Sequence, residues 1–410
     1  MSATRNTSSA MLDIVEADAL IREHVSLLDP VRCALGAAGG AVLREEICAD
    51  RDQPPMDRVM MDGIAIRHRS WLEGQRAFAV AGVQAAGHAP SSLDNPLSCI
   101  EVMTGSCLPT GSDCVIPVER IRRQQDRALL EDGYRPEAGQ FIHPRGSDYS
   151  AGDTLLRIGT LLRSPEISVL AANGRDTVLV SRRPRVSVIS TGDELVPPGQ
   201  PLASHQIHSS NDSAMAAALD HLAERPVRTI NVPDDPARLV HDIARELKCS
   251  DVLVLSGGVS MGKFDFLPRV FREIGVTEIF HKIRQRPGKP MWFGLGPDGQ
   301  PVFALPGNPV SALTCLHRYV LPAIRNAMAM RQPPPRRAAL ASSFEFAPDL
   351  ACFLPVRIRY DSKGTVSAEP RPTNTSGDFS GLTETDGFLE LIRTRQHFPA
   401  GWTAEFYPWL

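Results

Sequence analysis

From Pro184 onward the chain alternates short apolar runs with longer amphipathic stretches, and few architectures accept that alternation. VSVIS (186–190), VRTINV (227–232), DVLVLS (251–256) and VTEIFHKI (276–283) read as strands. NDSAMAAALDHLAE, DPARLVHDIAREL, the stretch near Phe266 to Ile274 and the stretch from Pro309 to about Met328 read as helices. Strands separated by helices imply a mostly parallel sheet covered on both faces, a three-layer α/β domain. Such sheets take ligands at the C-terminal ends of their strands. Three strand ends here run into glycine turns: STGDEL (190–195), SGGVSMG (256–262) and LPGNPVSA (305–312). They are expected to share one edge.

Glycines let backbone N–H groups close on an anion, so a phosphate is the natural guest. The candidate lining residues are Thr191, Gly192, Ser256, Gly257, Gly258, Ser260, Gly262, Pro306, Gly307, Asn308 and Pro309. Asn308 suits a helix cap and Pro309 the first helical position. Gly257 to Lys263 also fits G-x-x-x-x-G-K, but Phe264 stands where a P-loop needs Ser or Thr to hold magnesium. A nucleotide triphosphatase is therefore a poor reading.

Charge sharpens the problem. RQRPGKP (284–290) gathers Arg284, Arg286 and Lys289 about a Pro-Gly turn, either a solvated patch or an anion clamp. Asp193 and Glu194 follow the first glycine turn, Asp265 follows the second, and Asp234 and Asp235 precede a helix. Capping is the plain role for Asp234. A carboxylate about 4 Å from a bound anion repels it by roughly 4 kcal/mol at an effective dielectric near 20. A helix dipole returns only about 0.3–1 kcal/mol. A divalent cation resolves the conflict, and glycine turns, acids and a basic clamp together suggest magnesium-assisted chemistry on a phosphorylated substrate.

The rest of the chain frames that domain. A length of 410 residues suggests roughly three domains. Residues 13–44 have helical spacing interrupted by Pro30 and the glycines at 36, 39 and 40. Residues 50–146 turn to short β-like runs such as FAVAGV, and SPEISVLAANG (164–174) reads as a helix with a Ser cap. After the proline-rich RQPPPRR, strands such as FLPVRIRY suggest a small β-barrel or sandwich with Val356, Ile358 and Tyr360 facing a core. A net charge of −3 argues against nucleic-acid binding. No apolar run approaches the roughly 18 residues of a membrane span. Eight scattered cysteines without C-x-x-C pairs suggest free thiols in a reducing cytoplasm. The β-rich region has three polar singularities: Asp62 in a Met-Asp-Gly turn, Thr104 in Thr-Gly, and a loop holding His143, Arg145 and Asp148. None makes a nucleophile triad.

Eight motifs in series then resemble one family: MDGIA, MTGSCLPTGSD, PRGSDYSAGD, ISTGDELVPPG, the Asn of IHSSN, SGGVSMGKFDF, RPGKP and LPGNPVSA. The chain resembles the MoeA family of molybdenum insertases, which includes the gephyrin E domain and its plant counterpart. The resemblance implies four parts: 11–50 with 148–183 as an extended helical piece, 51–147 as a β-rich domain, 184–330 as the α/β domain and 331–410 as a C-terminal β-barrel. It implies insertion of molybdenum from molybdate into adenylylated molybdopterin, with Mg²⁺ and release of AMP. It implies a cytoplasmic homodimer whose site lies between the α/β domain of one subunit and the β-rich domain of the other, fed by an upstream adenylyltransferase. Carried over by motif, Asp62, Thr104, Glu194, Asp234, Asp265, Lys282, Pro306 and Pro309 are its functional positions. His143, Asp148, Arg286 and Lys289 join the substrate-binding set, and the resemblance implies Glu194, Asp234 and Asp265 as the Mg²⁺ ligands. The family usually has Tyr at the place of Ile64, often Arg at His143, an acid at Ser209 and Lys at Arg286. Those departures keep open an alternative, a drifted paralogue that binds molybdopterin as a scaffold.

Overall fold

The computed structural model describes residues 11–224, 226–259 and 266–409. The proposed site residues Ser260, Gly262 and Asp265 lie outside the described residues.

The central sheet has six strands, in the order Arg228–Val232, Val186–Thr191, Val252–Ser256, Pro301–Leu305, Trp292–Leu295 and Thr277–His281. The first four are parallel, and the last two run antiparallel to their neighbours in turn. Every residue of Val252–Ser256 and Pro301–Leu305 is buried, as a strand covered on both faces requires. Val252 and Val254 pack on one side with Met215, Leu316 and Ile324. Leu253 and Leu255 pack on the other with Ile243, Leu247 and Phe271.

The helix expected from Pro309 is broken in character. Pro309–Cys315 and Leu321–Ala327 are α-helical, with a π-helical turn at Leu316–Val320 between them. Pro322 has no N–H to offer the Arg318 carbonyl four residues back, which favours the wider turn before it.

At the N-terminus Ile14–His24 is α-helical and Leu35–Ala37 a short 3-10 turn; the first is opened by Asp13, whose N–H donates to the Glu16 carboxylate at 2.8 Å. The helical reading through residue 44 is corrected beyond that point. Pro30–Ala34 is a strand, paired antiparallel with Thr177–Ser181. Ile47–Cys48 likewise pairs with Thr154–Leu156. Leu43, Ile47, Leu162, Leu170, Val178 and Val180 form one core from two stretches far apart in sequence. The helix Ser164–Ala172 is capped by Arg163 rather than Ser164, with Glu166 accepting the Arg163 N–H at 2.9 Å.

Between those two stretches lies a second six-stranded sheet, with Gly63–Ile66 next to one edge strand and apolar clusters on both faces. The C-terminal region is a closed five-stranded barrel of Arg337–Leu340, Ala351–Tyr360, Val366–Pro370, Gly387–Leu391 and Thr403–Pro408. Its alternation fades at the strand end: Val356 is buried, but Tyr360 is 73% exposed rather than in the core. Gln285–Arg286 adds a parallel pairing to Ala351–Cys352 and so fastens the barrel to the α/β domain. Among the described residues no helix is long and apolar enough to cross a membrane.

Candidate functional site

A cavity of about 1260 Å³ opens at the C-terminal edge of the central sheet. All three glycine turns line it, through Thr191 and Glu194, through Ser256, Gly257 and Gly258, and through Pro306, Gly307, Asn308 and Pro309. Asn211 knits two of them together. Its side-chain amide donates to Ser256 Oγ at 2.7 Å and to the Gly307 carbonyl at 2.8 Å. IHSSN was legible as a motif, but this use of its asparagine was not, because the partners come from distant strands.

Close approach explains the glycines. A Cβ on Gly257 (φ +98°) would lie 2.7 Å from the Thr191 carbonyl and 2.9 Å from its hydroxyl. One on Gly192 (φ +152°) would lie 2.6 Å from a Glu194 carboxylate oxygen. Gly192 therefore lets Glu194 fold back over its own turn. Thr191 and Ser190 are buried, and among the described residues neither hydroxyl has a hydrogen-bond partner. Two orphan hydroxyls beside a glycine turn are donors waiting for an acceptor.

Asp234 lines the cavity beside Glu194's turn, where its N–H donates to Asp193 Oδ1 at 3.1 Å. The capping role falls to Asp235, whose carboxylate accepts the Arg238 N–H at 2.8 Å. Arg286 and Lys289 line the cavity, both exposed, and among the described residues neither is in an ion pair. Lys282 does not line it. It follows the strand Thr277–His281 at φ +78°, with its N–H on the Met291 carbonyl at 2.8 Å.

The C-terminal barrel closes the opposite wall, which sequence reasoning missed. Phe344, Phe346, Phe379 and the loop Asn374–Thr375–Ser376 face the glycine turns. Asn308 does not cap its helix by side chain. It donates to Ser376 Oγ at 2.7 Å, and the Ser376 carbonyl takes the Val310 N–H at 3.1 Å. No sequence signal joins residues 308 and 376; only the barrel's docking does. Cys352 also lines this wall, and burial pushes its thiol up to about 12, so it stays neutral.

The β-rich domain holds its own polar groups apart from this cavity. Asp62 accepts the Thr104 N–H at 2.6 Å and its hydroxyl at 2.7 Å, and these bonds hold the carboxyl below its usual range. Arg58 lies 3.1 Å from His143 Nδ1, and His143 Nε2 lies 2.8 Å from Asp148. A guanidinium can only donate, so Nδ1 accepts and Nε2 carries the proton toward Asp148. Asp62, Thr104, His143 and Asp148 do not line the cavity of their own chain.

With this geometry in view, similarity to known proteins is informative. Family profiles match in succession: the MoeA N-terminal region (domain I and II) at residues 12–174, a probable molybdopterin binding domain at 187–326, and the MoeA C-terminal region (domain IV) at 337–409. A molybdopterin molybdenumtransferase of Synechocystis sp. is 38% identical over 400 residues, 97% of this chain and 100% of the relative. One of Haemophilus influenzae is 30% identical over 377 residues, 91% of this chain and 92% of the relative. The crystal structure of a molybdopterin biosynthesis MoeA protein from Pyrococcus horikosii is similar with a TM-score of 0.80 at 28% identity, covering 98% of this chain and 100% of that one. Matched in order along nearly its whole length and by relatives of the same extent, the chain belongs to the MoeA family.

Proposed function

We propose that this protein inserts molybdenum from molybdate into adenylylated molybdopterin, releasing AMP, with Mg²⁺ assisting. The observation that carries the reading is the cavity itself: glycine turns, two acids and two cations meet at one sheet edge, against an aromatic wall. That composition suits a ligand with a charged phosphoanhydride and flat rings. The family supports the same substrate, since the relatives are named molybdopterin molybdenumtransferases.

Glu194 and Asp234 offer the hard oxygen donors magnesium takes, and the family resemblance adds Asp265. Among the described residues no group of three acids, histidines or cysteines could hold a metal alone. Magnesium commonly takes one or two carboxylates and completes its shell with substrate phosphates and water. Bound there, it would neutralise charge on the phosphoanhydride. Arg286 and Lys289 grip the anionic oxygens and the Thr191 hydroxyl orients them, while the Gly192 and Gly257 N–H groups are taken up by the Val232 and Leu305 carbonyls. Cys352, a neutral thiol, does not compete with the substrate's dithiolene for molybdate.

We further propose a homodimer. Leu27, Val31, Ile158 and Leu161 leave apolar surface exposed on the extended N-terminal piece. A partner's β-rich domain would bring Asp62 and Thr104, with His143 and Asp148, to the cavity. All eight cysteines are free thiols, which supports a reducing, cytoplasmic setting where an adenylyltransferase supplies the substrate. The test is incubation with adenylylated molybdopterin, molybdate and Mg²⁺, measuring AMP and active cofactor. Both products are expected, lost on chelation and restored by added Mg²⁺. Substrate binding without AMP release would favour the scaffold reading.

A further inference from the structure

Beneath the basic turn a polar network starts at Gln285 and Gly288, which line the cavity, and runs to Cys315 and Tyr319, which do not. Gln285 is 0% exposed and Tyr319, on the π-helical turn, is 1% exposed. The Tyr319 hydroxyl donates to Gln285 Oε1. The other end of the same carboxamide donates to the Gly288 carbonyl at 3.2 Å and to Cys315 Sγ at 3.4 Å. Cys315 in turn points its thiol at the Gly288 carbonyl, 3.8 Å away. Burial pushes the Cys315 thiol up to about 12 and the Tyr319 phenol upward as well, so both remain protonated donors. Gly288 (φ +90°) is packed so closely that a Cβ would sit 2.4 Å from Cys315 Sγ and 2.7 Å from Gln285 Nε2.

Gly288 is the centre of the turn whose flanks are Arg286 and Lys289, the two cations of the cavity. Cys315 and Tyr319 are four residues apart on the helix whose first turn, at Pro309, lines the same cavity. The network therefore ties the basic turn to the helix that opens at Pro309. A purely apolar trio could fill this volume at similar stability, because a buried hydrogen bond adds little net free energy once both partners are removed together. What an apolar trio cannot supply is direction.

We propose that Gln285 and Tyr319 are positioning residues that aim Arg286 and Lys289 at the anionic part of the substrate, an inference that rests on the functional reading above. Gln285 holds the turn's carbonyl from below, and Tyr319 holds Gln285 in its rotamer. The cationic head groups then enter the cavity already oriented instead of paying that order on binding.

The test compares Tyr319→Phe, Gln285→Met and the double variant with the wild type. Each single variant strands one buried polar group and is expected to melt lower; the double removes both partners and is expected to melt close to the wild type. Three readouts follow. Amide exchange across residues 284–290 should rise in the double variant, with exchange in the barrel strands unchanged. Affinity for inorganic pyrophosphate, by calorimetry, should fall about tenfold. KM for adenylylated molybdopterin should rise about tenfold with kcat within about twofold, the pattern of lost ground-state positioning. A double variant that exchanges, binds pyrophosphate and turns over like the wild type would reduce the network to packing and overturn the proposal. Wild type that binds no pyrophosphate would remove the turn as an anion grip, and the proposal with it. A wild type that binds pyrophosphate yet releases no AMP from adenylylated molybdopterin would instead overturn the functional reading, with exchange and pyrophosphate affinity still deciding the network.

Discussion

Thr191 keeps a buried hydroxyl without a partner among the described residues, 6% exposed beside the Gly257 turn. Burying such a group without a bond costs about 1–3 kcal/mol, so its retention asks for a reason outside the fold. Thr191→Val keeps the shape and removes the hydroxyl. Its melting temperature is expected to hold or rise, while KM for adenylylated molybdopterin rises at least about fivefold, the loss of roughly one hydrogen bond. Unchanged KM in steady-state AMP release would take Thr191 out of the binding set. The residue was readable as part of STGDEL. Its orphan state was not, since that depends on how closely Gly257 approaches.

At the scale of elements, the helix that opens at Pro309 joins three parts of the molecule through Arg318. Its guanidinium is 8% exposed and pairs with Asp18 of the N-terminal helix at 2.7 Å and Glu390 of a barrel strand at 2.6 Å. The rings of Tyr319 and Tyr407 lie about it, 5.0 and 5.1 Å from its centre. Burial raises Glu390 above the usual carboxylate range even though Arg318 pulls it down. Arg318→Met should therefore destabilise by about 3–5 kcal/mol near neutral pH, because it leaves a buried carboxylate without its cation. The pH dependence has a definite sign. Without Arg318 the folded pKa of Glu390 moves further up, so the folded state holds a proton that the unfolded state has already released. Stability then falls as pH rises from the unfolded value toward the folded one. Denaturant melts of the variant should show a smaller deficit at pH 5.5 than at pH 7.5. A deficit that is flat across that range would mean Glu390 is not left charged and buried. Periodicity announced this helix, but its π-helical middle and its ion pairs come from Pro322 and from distant acids that no local pattern displays.

For the whole molecule, the proposed dimer makes a prediction about Asp62 and the cavity. Asp62 and Thr104 are bound to each other in the β-rich domain, and Glu194 and Asp234 line the α/β edge. If a two-fold dimer joins them, Asp62→Ala and Asp234→Ala chains are each inactive alone. Mixed and allowed to exchange subunits, they should recover about a quarter of wild-type AMP release, because random pairing makes half the dimers mixed and each mixed dimer keeps one intact site of two. Proven exchange without recovery would assign the two acids to the same subunit or to no shared site.

What the sequence by itself determined is whatever is written in short range. Apolar runs of strand length named the parallel sheet, glycines at their ends named the turns, and the order of motifs named the family. The acids and cations of the cavity could be picked out because each sits within a few residues of a turn. Tertiary structure alone decided the rest, and for a common reason: it depends on pairings between residues far apart in the chain. Pro30–Ala34 became a strand because Thr177–Ser181 lay ready to pair with it, overriding a helical pattern. Asn308 became a strut to Ser376 instead of a cap, the barrel became a wall of the site, and Gln285 found Tyr319 under a glycine. Hydrogen bonds and close packing of this kind have no period, so a one-dimensional pattern carries no trace of them.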